Sequence, residues 1–76
     1  MDTLHLPYVA AALGAGLAVV GGGLGIGKLA AAAMDGIARQ PQAGGAIGTN
    51  MLIAAGLIEG ATLLAEVVAI LIVFLK

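Results

Sequence analysis

The chain of 76 residues contains no cysteine and no tryptophan. Without thiols, disulfides, thiolate metal sites and cysteine redox chemistry are excluded. Aromatic side chains are reduced to Tyr8 and Phe74. The aromatic belt that anchors a free-standing membrane helix is therefore barely present, which fits one small piece of a larger assembly. Charge is scarce too. Asp, Glu, Lys and Arg make up 9% of the residues, and the net charge is −1. That balance offers nothing to attract nucleic acid or anionic lipid. A basic leader region is also missing: "MDTLHLP" carries Asp2 where a signal peptide has its positive charge. The expectation is a chain that is mature from Met1 or nearly so.

What is present is apolar. Hydrophobic residues make up 62% of the chain, and there are 13 glycines. A soluble domain this small needs more polar surface than these residues supply. The class is integral membrane protein.

Two apolar segments stand out, from about Tyr8 to Ala33 and from about Met51 to Leu75. Each exceeds the ~20 residues that cross a hydrocarbon core of ~30 Å. Both must be helical, because backbone groups in lipid need internal partners and two spans cannot close a barrel. Pro7 suits the first turn of the first helix, with Asp2 and Thr3 upstream as candidate caps.

Between the spans lies "MDGIARQPQAGGAIGTN". Pro41 and the Gly44–Gly45 pair are turn signals. The pattern predicts helix one over about 7–38, a polar loop over about 39–45 and helix two over about 46–75. So short a loop makes the helices antiparallel neighbours. The fold class is an all-α membrane hairpin, with both termini on one side of the membrane and the loop on the other. Arg39 favours the cytoplasm for the loop.

"GGGLGIGKL" in the first span invites a nucleotide reading, since Gly22, Gly27 and Lys28 match most of a phosphate loop. The pattern fails at Leu29, where Ser or Thr must meet magnesium, and no strand precedes it. Packing is the physical reading. Gly21 and Gly25 are four apart, as are Gly23 and Gly27, and Gly14, Ala18, Gly21 and Gly25 form a further small-residue seam. Such spacings let helix backbones approach closely in lipid. Small residues on more than one face call for neighbours on both sides, a demand that a closed ring of identical hairpins satisfies. A tight hairpin or a dimer is the alternative.

Glu59 stands near the centre of the second span. An ionised carboxylate there costs at least ~2.5–3.5 kcal/mol. Hydrocarbon favours the neutral acid, which donates a hydrogen bond to a carbonyl such as that of Leu57. A group that is neutral in lipid and ionised in a wet cavity carries protons. Gly56 and Gly60 flank it and leave room for a partner surface. A glutamate that only bonds a neighbouring helix is the plainer alternative. Glu66 is seven residues on, nearly the same face and ~10.5 Å along the axis. It is either a snorkelling or access-path carboxylate or a second protonatable group. Lys28 snorkels toward the interface or pairs with Glu59; pairing would hold Glu59 charged and stop it carrying protons.

These motifs together resemble the proteolipid c-subunits that form the rotor ring of the F-type ATP synthase. "GGGLGIGK", "GIARQP" and "GLIEG" stand in that family's order and at its separations, and the likeness covers essentially the whole chain. The resemblance implies a ring of identical hairpins with helix one inside and helix two outside. It implies that Glu59 carries the ion past the stator a-subunit. It places Arg39, Gln40 and Pro41 against the central stalk subunits gamma and epsilon. Gln42 stands where the family often has an acid, which removes a loop–stalk salt bridge at that position. Sodium-binding members resemble one another in oxygen-bearing side chains at positions that here are Ile26, Gly60 and Leu64. Thr62 is a nearby hydroxyl, three residues from Glu59.

The expected function is therefore a proton-translocating rotor subunit, not an enzyme by itself. It needs no cofactor or metal, lies among membrane lipid, and belongs to a bacterial plasma (inner) membrane. The alternatives are a sodium-coupled rotor of the same kind and a structural or pore-forming hairpin.

Overall fold

The computed structural model describes residues 5–75. The candidate caps Asp2 and Thr3 lie outside them. Helix α1 runs Leu6–Arg39 and helix α2 runs Gly44–Leu75. A single 3₁₀ turn, Pro41–Ala43, joins them. The two rods lie side by side in a body of 58 × 18 × 8 Å. At 1.5 Å per residue each helix is ~50 Å long, well beyond the ~30 Å of hydrocarbon it must cross. Both are long and apolar enough to span a membrane, with mean hydropathies of 2.0 and 2.3.

Pro7 occupies the first turn of α1, where a missing N–H loses no helical bond. At the other end Arg39 stands in the last turn and pairs with Asp35 at 3.2 Å. Both side chains are largely solvent-exposed, so the pair adds little stability.

The turn is built differently from the sequence expectation. Gly44 and Gly45 do not make it. Gly44 is helical (φ −55°, ψ −39°), α2 begins there rather than at Ala46, and no described residue has a positive φ. Gln40 makes the break, at φ −134° and ψ 77°. It precedes Pro41, whose ring disfavours the α conformation for the residue before it. The Gln40 N–H still donates to the Gly36 carbonyl at 2.9 Å, closing α1. The Ala43 N–H donates to the Gln40 carbonyl at 2.9 Å, closing the 3₁₀ turn. One extended residue and one tight turn thus reverse the chain.

Small residues form the contact between the helices. The inward positions of α1 include Ala11, Ala15, Ala18, Gly22, Gly25, Ala33 and Gly36. Those of α2 include Ile47, Met51, Ala55, Ile58, Thr62 and Ala69. Near the loop Gly36 receives Ile47, and a Cβ there would lie 3.3 Å from the Ile47 Cδ1. At mid-length Gly25 receives Ile58 at 3.6 Å. Gly22 is buried against Thr62, whose hydroxyl occupies the space a Cβ would need.

The hairpin has almost no interior. Among the described residues the buried apolar ones are Ala11, Ala33 and Ala69. Leu13, Leu17 and Leu24 on α1, and Leu57, Leu64 and Phe74 on α2, are more than half exposed. Such a surface is stable only against lipid or further protein.

Candidate ion-carrying site

Glu59 lies at the midpoint of α2 (Gly44–Leu75). Its neighbours fix its height and its direction. Ile58 abuts Gly25, and Thr62 abuts Gly22, so Glu59 is level with the glycine run of α1. One residue past the inward Ile58 is a rotation of about 100°. The carboxylate therefore leaves the hairpin sideways and is exposed. Gly56 and Gly60 are exposed on the face of α2 turned away from α1, with nothing within 4 Å of either Cβ position.

No hydrogen bond or ion pair holds the Glu59 side chain among the described residues. Thr62 does not serve it. Its hydroxyl donates to the Ile58 carbonyl at 3.0 Å and packs on Gly22. Three residues on from Glu59 is a rotation of about 300°, which turns the Thr62 hydroxyl into the helix contact. Ile26 is half-buried on α1, and the Leu57 side chain is exposed. Lys28 is exposed and forms no ion pair with Glu59, so the pairing alternative does not hold in the hairpin.

The glycines sort by face. Of Gly21, Gly23, Gly25 and Gly27, Gly25 meets α2, while the other three have nothing within 4 Å. Helical geometry places Gly14, Gly21 and Ala32 on one flank of α1. It places Gly16, Gly23 and Gly27 on the opposite flank. Both flanks are exposed, and Gly21, Gly23 and Gly27 on them lie near the height of Glu59. Arg39, Gln40 and Pro41 are exposed at the far end, where the chain turns.

The chain therefore combines an apolar hairpin, a mid-span carboxylate with no partner among the described residues, two glycine-lined flanks and an exposed polar turn. The family model for the ATP synthase c-subunit matches residues 9–72. The chain belongs to the ATP synthase c-subunit family. Among its relatives, the ATP synthase c-subunit of Bacteroides thetaiotaomicron is 65% identical over 65 residues, covering 86% of this chain and 76% of that one. That of Phocaeicola vulgatus is 54% identical over 70 residues, covering 92% and 83%. That of a Synechococcus species is 44% identical over 76 residues, covering 97% and 94%. A member of this family is a two-helix membrane hairpin, as the fold here is.

Gly22 as the buried glycine of the hairpin, and Thr62 as its counterpart, were not singled out from the sequence. The signal was available. Ala15, Gly22, Leu29 and Gly36 repeat every seven residues, interleaved with Ala11, Ala18 and Gly25. That double row is a helix-packing face.

Proposed function

We propose that the chain is the proton-carrying rotor subunit of a rotary ATP synthase. Family membership supports the coarser part: an ion-translocating, non-catalytic component of the ATP synthase complex. The observation that carries the rest is Glu59, a carboxylate at the middle of an apolar helix that points sideways with no partner among the described residues.

The hairpins pack as a closed ring, α1 inside and α2 outside, through the two glycine flanks of α1. Glu59 then stands at the outer part of the ring, between α2 helices. Facing lipid it is protonated and neutral. Facing the water-lined channels of the stator a-subunit it exchanges its proton, losing one to one side and gaining one from the other. A charge crossing 100 mV yields ~2.3 kcal/mol, so several protons are pooled for each ATP, and a multi-copy ring does the pooling. The exposed turn at Arg39, Gln40 and Pro41 docks on the central stalk subunits gamma and epsilon. The turn faces the cytoplasm of a bacterial inner membrane, and the termini face the opposite side.

Proton coupling is favoured over sodium. A sodium ion needs several oxygen ligands. The hydroxyl closest in sequence to Glu59 on α2 is Thr62, and it is directed into the α1 contact. In whole ATP synthase, Glu59→Gln is expected to leave the ring assembled and abolish ATP-driven proton pumping; pumping at the normal rate would refute the assignment. A hydrophobic carbodiimide is expected to modify Glu59 more slowly as pH rises, because it needs the acid form. Sodium at fixed pH and ionic strength should not protect Glu59 more than potassium does. Selective protection by sodium would move the chain to the sodium-coupled branch.

A further inference from the structure

Two helical turns beyond Glu59, α2 carries a second carboxylate that the rotor cycle above leaves unused. Glu66 is half-buried, whereas Glu59 is exposed. It lines a groove of about 630 Å³ between the helices, at the end of the hairpin that holds the termini. From α1 the groove takes Tyr8, Ala11 and Ala15; from α2 it takes Leu63 and Ile70 beside Glu66. Tyr8 is the one other polar side chain in its lining among the described residues. Among the described residues, the other titratable groups toward this half of the hairpin are His5, the N-cap of α1, and Glu59 itself.

Seven residues of helix place Glu66 within about 20° of Glu59 around the axis and ~10.5 Å nearer the termini. Water entering from the terminal side of the membrane therefore meets Glu66 first. The groove ends at Leu63, one turn short of Glu59. Its volume exceeds that of one water, ~30 Å³, many times over. Direct transfer over ~10.5 Å is impossible; a relay of about three waters at hydrogen-bond spacing would span it. An ionisable group at membrane depth between apolar walls marks an ion path more readily than it serves packing.

We propose that Glu66 is a second proton-binding group, which loads and unloads Glu59 from the terminal side. The proposal rests on Glu59 being the carrier. The Glu66 carboxylate takes a proton from water on that side and becomes a neutral acid. It gives the proton to groove water, which passes a proton on to the Glu59 carboxylate, and the reverse sequence unloads Glu59. Its negative charge raises the local proton supply, which matters most when bulk protons are scarce.

The test uses whole ATP synthase in liposomes, with rotors bearing wild-type, Glu66→Gln, Glu66→Asp or Glu59→Gln chains. Proton flux is followed while pH is varied on the side of the termini. Glu66→Gln is expected to conduct like wild type at mildly acid pH and to fall about tenfold behind at alkaline pH, the low end of local-concentration effects in a charged cleft. Glu66→Asp should restore most of the alkaline flux. A wild-type pH profile for Glu66→Gln, with Glu59→Gln inactive, overturns this inference and leaves the carrier assignment standing. Full flux in Glu59→Gln sinks the carrier assignment instead. A loss in Glu66→Gln that is equal at every pH and unrescued by Asp assigns Glu66 to structure and also overturns the inference. A second arm needs no variant. Carbodiimide treatment of wild-type rings, read by peptide mass, should label Glu66 as well as Glu59 at acid pH. Glu66 unlabelled at every pH overturns the proposal even where Glu66→Gln fails to assemble.

Discussion

Gly22 and Thr62 show how little space separates the two helices. A methyl at Gly22 would strike the Thr62 hydroxyl, with the Thr62 Cγ2 and Cβ only 3.2 and 3.3 Å away. Overpacking of this kind costs about 1–3 kcal/mol. Gly22→Ala is therefore expected to lower the temperature at which the assembled protein melts. Thr62→Ala removes the hydroxyl and the Cγ2, leaving a contact that tenths of an ångström relieve. The double variant should recover most of the loss, a coupling that a double-mutant cycle measures directly. Additive losses would mean that the two residues do not meet. Gly45→Ala is the control, since nothing lies within 4 Å of its Cβ position and it stands at the turn end of α2, away from both glycine flanks of α1. Glu59 stood out in the sequence because charge at mid-span is so unfavourable. The partner of Gly22 did not, because five of the seven residues from Gly21 to Gly27 are glycine and only the α2 contact tells them apart.

At the scale of the element, the turn depends on Pro41 more than on its glycines. Gly44 is in ordinary helical conformation, and a Cβ there would meet Ile37 at a normal 3.7 Å. Gly45 has open space. Replacing a helical glycine by alanine is worth roughly 0.5–1 kcal/mol. Gly44→Ala and Gly45→Ala are expected to hold or raise thermal stability, measured on the purified oligomer. Pro41→Ala releases Gln40 to adopt the helical conformation, so α1 and α2 compete to extend through the turn. Amide exchange at Ala43, whose N–H is held by the Gln40 carbonyl, should then speed up. Unchanged protection at Ala43 would show that the turn is held from elsewhere. The existence and type of both helices were legible from length and hydropathy. The mechanism of the turn was not, because Pro41 and the glycine pair are both breakers and the sequence does not rank them.

At the scale of the whole molecule, the hairpin is incomplete alone. Its buried apolar residues are alanines, and its leucines point outward. Gly16, Gly23 and Gly27 form one open flank of α1, and Gly14 and Gly21 part of the other. A leucine at Gly23 fits the isolated hairpin but fills the space a neighbouring helix would use. Gly23→Leu is expected to preserve helical content while preventing ring formation or changing the copy number, read by native mass spectrometry or projection imaging. A ring of unchanged mass would show that this flank faces no neighbour.

The amino-acid sequence by itself determined the class, the two spans, the reversal between them and the singular carboxylate. Each follows from one-dimensional facts: run length against bilayer thickness, and charge where charge is disfavoured. Only the tertiary structure decided which residues look inward. It turned Thr62 and Gly22 to each other, left Glu59 outside with Gly23 and Gly27 open, and set Glu66 in a groove beside Tyr8. The physical reason is that an all-apolar helix has no amphipathic pattern to announce its buried side. In lipid that side is chosen by fit between small and large side chains across the contact, which exists only once both helices are in place.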